Sequence, residues 1–113
     1  MDWKSWLERP ESLPALANFM NPSKVDRSRV VKLTDLPNIG PACAQDLRML
    51  GIETPSQLVG QDPFQMYRLL CEKTSVRHDP CVIDVFMSVT RFMAGDEARP
   101  WWAYTQERKQ SFL

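Results

Sequence analysis

The run Pro37-Asn38-Ile39-Gly40-Pro41-Ala42 combines residue types that can hold an anion. Gly40 takes positive φ at little cost, Asn38 tolerates it better than most residues, and Pro37 presets φ for a turn. Pro41 suits the first helical position, where a missing N–H costs little. The backbone N–H groups of Ile39, Gly40 and Ala42 would then gather at a helix N-terminus, where orphan donors and the helix dipole both favour negative charge. A phosphate is the expected guest. The alternative is a helix–helix corner that binds nothing.

A second set is Cys71, His78 and Cys81. A Cys-x6-His-x2-Cys array offers three zinc ligands, with Cys43 or Asp79 as a fourth. No CxxC or HxxxH pair accompanies it, free cysteines behave as small buried hydrophobes, and Asp79 reads as a helix cap. Packing is the favoured reading, so no metal is assigned. The same His78 and Cys81 could activate a thiolate. Yet no oxyanion stabiliser or orienting carboxylate can be named beyond Asp79, and there is no Walker loop, dinucleotide fingerprint or paired-carboxylate site. The chain reads as a non-enzyme.

Both sets must be positioned by one small domain, since the chain has 113 residues. Hydrophobic residues make up 43% and charged residues 25%, the balance of an ordinary globule. No apolar run reaches the roughly 20 residues that span a bilayer, and no secretory signal is visible. Three cysteines without a paired spacing fit a reducing cytoplasm rather than a disulfide framework. Formal net charge is zero, which argues against a strong electrostatic grip on nucleic acid. Between positions 24 and 48, Lys24, Arg27, Arg29, Lys32 and Arg48 stand against Asp26, Asp35 and Asp46, a small local surplus.

The elements read as all-α, a compact bundle of about five short helices. Residues 1–22 form an N-terminal arm or short helix, with Trp3, Trp6 and Leu7 at helical spacing and Leu13, Leu16, Phe19 and Met20 able to pack as an amphipathic turn. Residues 23–94 form the main domain. Ser23 caps a first helix over 22–33 whose inward side carries Val25, Val30 and Leu33. A second runs over 41–50 with Ala44, Leu47 and Leu50 on one face, and Gly51 fits the left-handed position past its end. Thr54-Pro55-Ser56-Gln57 and Asp62-Pro63-Phe64-Gln65 both look like capping boxes, and Asp79-Pro80 repeats the cap and proline. Helices are therefore expected over 55–59, 63–73 and 80–93. The last carries Val82, Val85, Phe86, Val89 and Phe92 as a stripe and forms the core wall opposite the 37–40 turn. Residues 95–113 hold Trp101, Trp102 and Tyr104 within four positions. One tryptophan is expected to dock across the bundle; the alternative is a platform that stacks a base or anchors a protein.

The residues LPNIGPACAQDLRMLGI resemble the hairpin of helix-hairpin-helix proteins, with Asn38 where the first motif glycine stands. That resemblance implies a backbone that holds a nucleic-acid phosphate, with a monovalent cation nearby. The wider run from Lys24 to Lys109, including DPCV and RPWW, is similar to a family of small bacterial proteins labelled pathogenicity-locus or mitomycin-resistance proteins. The hairpin half also resembles the C-terminal domain of the TfoX competence regulators. Together these imply an all-α fold and a DNA connection, in DNA repair or a stress response. The expected function is weak DNA-backbone binding without strong sequence preference, through Asn38, Ile39, Gly40 and Ala42, flanked by Lys32, Arg29 and Arg48. The alternative is a protein–protein interaction domain whose aromatic ends, Trp3 and Trp6 with Trp101 and Trp102, form the contact surface.

Overall fold

A computed structural model describes residues 24–111. The N-terminal readings at Trp3, Trp6, Leu7, Leu13, Leu16, Phe19 and Met20, and the cap at Ser23, lie outside the described residues. Those residues form four α-helices: α1 Pro41–Met49, α2 Pro63–Thr74, α3 Cys81–Met93 and α4 Thr105–Ser111. Short 3-10 turns stand at Arg27–Arg29, Leu33–Asp35, Pro55–Leu58 and Trp101–Tyr104, and no strand occurs among the described residues. The protein is all-α.

The expected first helix over 22–33 is not formed in its described part. The Asp26 carboxylate accepts the Ser28 N–H at 3.0 Å and its hydroxyl at 2.6 Å. Asp35 accepts the N–H groups of Lys32 and Val31 at 2.8 and 3.0 Å. Such short-range side-chain bonds offer the backbone an alternative to the helix ladder, and β-branched Val30 and Val31 favour extended backbone. Two 3-10 turns result. The inward side survives without the helix, because Leu33 is buried and Val25 and Val30 pack on the core.

The later helices follow their start and stop signals. Gln57 Oε1 accepts the N–H groups of Glu53 and Thr54 at 2.6 and 3.1 Å, and the segment forms a 3-10 turn. Asp62 caps α2 through the Phe64 N–H at 2.9 Å, and Ser75 ends it in left-handed backbone. Asp79 accepts the Cys81 N–H at 2.9 Å, so α3 begins one residue later than expected while its cap is the same side chain. Gly51 has φ of 83°, and the Ile52 N–H returns to the Leu47 carbonyl at 3.0 Å to close α1.

Helix α3 is not a wall at one side of the core but its centre. It packs against α2, the Pro55–Leu58 turn, the Trp101–Tyr104 turn and α4, and every residue from Val82 to Thr90 is buried. Beyond the expected stripe, Ile83 and Met87 point into packing on the other side. Polar residues there are satisfied locally. Ser88 donates to the Val85 carbonyl at 2.6 Å and Thr90 to the Phe86 carbonyl at 2.9 Å. Asp84, fully buried, accepts from Arg108 at 2.7 Å and from the Thr105 hydroxyl at 2.5 Å. Helix α4 has no large apolar residue, and these bonds, with the Arg91–Glu107 ion pair, hold it to α3.

The start of the described chain meets the C-terminal end of α3. The Arg27 guanidinium donates to the Phe92 carbonyl at 2.6 Å and the Asp96 carbonyl at 2.5 Å, and lies 3.9 Å from the centre of the Phe92 ring. A cation there complements the negative end of the helix dipole. Arg27, a member of the local basic surplus, thus serves as a helix cap.

Candidate nucleic-acid interface

The 36–42 segment turns where the sequence predicts, by a different division of labour. Asn38 carries the left-handed backbone, with φ of 66°. Gly40 does not: its φ is −96° and its ψ −176°, extended backbone that any residue adopts. One left-handed residue suffices to reverse the chain, so Gly40 serves as the extended residue that precedes α1. The Ile39 side chain is fully buried and its N–H points back to the Leu36 carbonyl at 3.4 Å, which takes Ile39 away from any guest.

The N-cap of α1 is Gly40, which has no side chain with which to cap the first turn. Pro41 is exposed and has no N–H, and half-buried Ala42 supplies the first donor of the helix. The N-terminus of this nine-residue helix therefore reaches the surface with a backbone donor that has no helical acceptor.

The flanking cations divide. Arg29 is exposed and sits 3.6 Å from the Asp26 carboxylate. Lys32 is exposed just ahead of the turn that leads into Leu36, with its own N–H engaged by Asp35. Arg48 lies in the last turn of α1, about 12 Å along the axis from Gly40 at the helical rise, and so at the wrong end. In its place the fold brings Arg99. The buried Asn38 side chain donates from Nδ2 to the Arg99 carbonyl at 2.8 Å, which pins the backbone of this exposed arginine beside the turn. Nothing local in the sequence marks this bond between residues 61 positions apart. Asn38 Oδ1 is buried with no hydrogen-bond partner among the described residues.

The Cys71, His78 and Cys81 set is taken up by packing. His78 is buried, its Nε2 lies 2.9 Å from the Thr74 hydroxyl, and its carbonyl accepts the Tyr67 hydroxyl. Its N–H donates to Cys71 Sγ at 3.4 Å. Burial, reinforced by the Asp79 carboxylate, pushes the Cys81 thiol up to about 11, far from a reactive thiolate at neutral pH. Among the described residues no three His, Cys, Asp or Glu side chains are grouped to hold a metal.

No helix of the described residues is long and apolar enough to cross a membrane. No solved structure matches the chain. Mitomycin resistance protein McrB of Streptomyces lavendulae is 40% identical to it over 78 residues, which cover 69% of this chain and 74% of that protein. The model of the Pathogenicity locus family matches residues 26–110, from the Asp26 turn through α4, and so takes in the 36–42 turn, Arg99 and the whole of the core around α3. The chain belongs to the Pathogenicity locus family.

Proposed function

We propose that this protein is a small non-enzymatic module that binds the DNA backbone without strong sequence preference. The observation that carries the reading is the surface start of α1, whose N-cap is a glycine, with the Arg99 backbone tied beside it through Asn38. A phosphate oxygen there accepts the Ala42 N–H, with the helix dipole and the Arg99 and Lys32 charges behind it, while Gly40 is buried and only shapes the approach to the helix. A monovalent cation held by Asn38 Oδ1 would add positive charge on the same side. Contacts of this kind position a protein on a duplex and carry no base information.

The test is fluorescence anisotropy with labelled DNA against the wild type and Ala42→Asp. An aspartate in the first helical turn suits the dipole, so the variant stays folded while it repels phosphate. The wild type should bind weakly, with log Kd rising in proportion to log salt and a slope of about 2 for two or three phosphates. Ala42→Asp should abolish binding with an unchanged circular dichroism spectrum. Wild-type binding absent at low salt, or unaffected by Ala42→Asp, sinks the reading. A protein-interaction role is the second reading. It is favoured by exposed Met49 and Leu69, which the Lys73 bond to the Met49 carbonyl at 3.1 Å places on one side of the α1–α2 pair.

A further inference from the structure

Trp102 is 60% exposed in a stretch that is otherwise anchored. On one side Trp101 packs on the core, and on the other Tyr104 is buried. The Trp101 ring meets the Trp102 ring edge-on, with centroids 5.5 Å apart and planes at 82°. That contact braces the Trp102 ring against a docked neighbour. The core does not need Trp102, and a braced indole left in water is a ready stacking surface.

The chain also limits how far Trp102 can lie from the 36–42 turn. The Asn38 bond fixes the Arg99 carbonyl at the turn, and Pro100 continues in extended backbone with ψ of 149°. Three residues of chain place the Trp102 Cα within about 11 Å of the Arg99 Cα. A backbone donor at a helix start, an arginine pinned by its backbone and an exposed tryptophan thus follow one another across a short span. An indole stacks on a base only where that base has left its helix. In a duplex both faces of each base are covered by its neighbours, whereas in a single strand they are open.

We infer that the surface formed by the α1 start, Arg99 and Trp102 takes single-stranded nucleic acid, with the phosphate at Ala42 and an unstacked base on the Trp102 ring. The inference rests on the DNA-backbone reading and narrows it from any backbone to a strand whose bases are free. Charge at Arg99 and Lys32 complements the phosphates, and stacking supplies the sequence-tolerant grip that a chain of zero net charge lacks.

The experiment compares labelled oligothymidine with a duplex of matched length, by anisotropy, for the wild type, Trp102→Ala and Trp102→Phe. Trp102 is exposed, so neither substitution threatens the fold. The wild type should prefer the single strand. Trp102→Ala should weaken single-strand binding by about tenfold and leave duplex binding in place, and Trp102→Phe should keep most of the affinity. Single-strand binding unchanged in Trp102→Ala, or both probes weakened equally, overturns the inference. If Ala42→Asp abolishes duplex binding while Trp102→Ala changes nothing, the backbone reading stands and only this inference falls. If the wild type binds neither probe, both fall, and the exposed indole becomes a protein contact.

Discussion

Asn38 carries two tasks at one residue. Its backbone occupies left-handed space, and its side chain ties the turn to Arg99. Asn38→Gly keeps the backbone and removes the tie, for a cost of about 1 kcal/mol. Asn38→Ala loses the bond and also the short polar side chain that lets asparagine occupy left-handed backbone, and should cost about 2 kcal/mol. Urea denaturation should rank the wild type above the glycine variant and that above the alanine variant; an alanine variant as stable as the glycine one would remove the strain argument. Asp35 is the residue at which stability should follow pH. Bonds from the Lys32 and Val31 N–H groups hold its carboxyl below the usual 3.8. A folded-state pKa below the unfolded one means stability that is present above 3.8 and lost as pH falls through the folded value. Asp35→Asn should therefore lower the urea midpoint at neutral pH, and the gap to the wild type should close on acidification. A gap that persists in strong acid would show that the carboxylate charge is not what holds the turn.

Polar bonds decide how the last element is attached. Helix α4 docks on α3 through the buried Asp84–Arg108 pair and the Thr105 hydroxyl rather than through apolar side chains. Removing one partner leaves a charge without its counterpart in a dry site. Arg108→Ala should cost about 3 kcal/mol or more, whereas adding Asp84→Asn to it should recover part of that loss. Additive effects in equilibrium unfolding would mean that the pair does not act as a unit. Arg27 plays the matching part at the other end of α3, through the Phe92 and Asp96 carbonyls. The small basic surplus ahead of the turn loses Arg27 to these bonds.

At the scale of the molecule, one helix is wrapped by all its neighbours. Phe86 is 1% exposed at the middle of α3. Phe86→Ala should cost about 3–5 kcal/mol, read as a large fall in melting temperature. A near-unchanged melting temperature would mean that α3 is not the centre of the core. The wrapping also explains why the Trp101–Tyr104 turn belongs to the domain instead of trailing from it. The turn packs on α3, with Tyr104 buried and Trp101 against the core.

Local signals act over a few residues, and they were legible in the sequence. Proline after a capping residue marked the starts at Pro41, Pro55, Pro63 and near Cys81, and Gly51 marked an end, because capping and φ preference are properties of neighbours along the chain. The hydrophobic period of α3 named one buried face for the same reason. The segment ahead of the turn was misread as a helix, although its own aspartates hold the reason. Side-chain bonds at Asp26 and Asp35 outweigh a weak periodicity. What only the tertiary structure decided are the pairings across long stretches of chain: Arg27 with the end of α3, Asp84 with Arg108, and Asn38 with Arg99. Each joins a side chain to a partner that no spacing rule connects, and each exists only once packing around α3 has brought the two together. The candidate site shows both halves, since the turn was written in Pro37, Asn38 and Pro41, while its arginine was supplied by the fold.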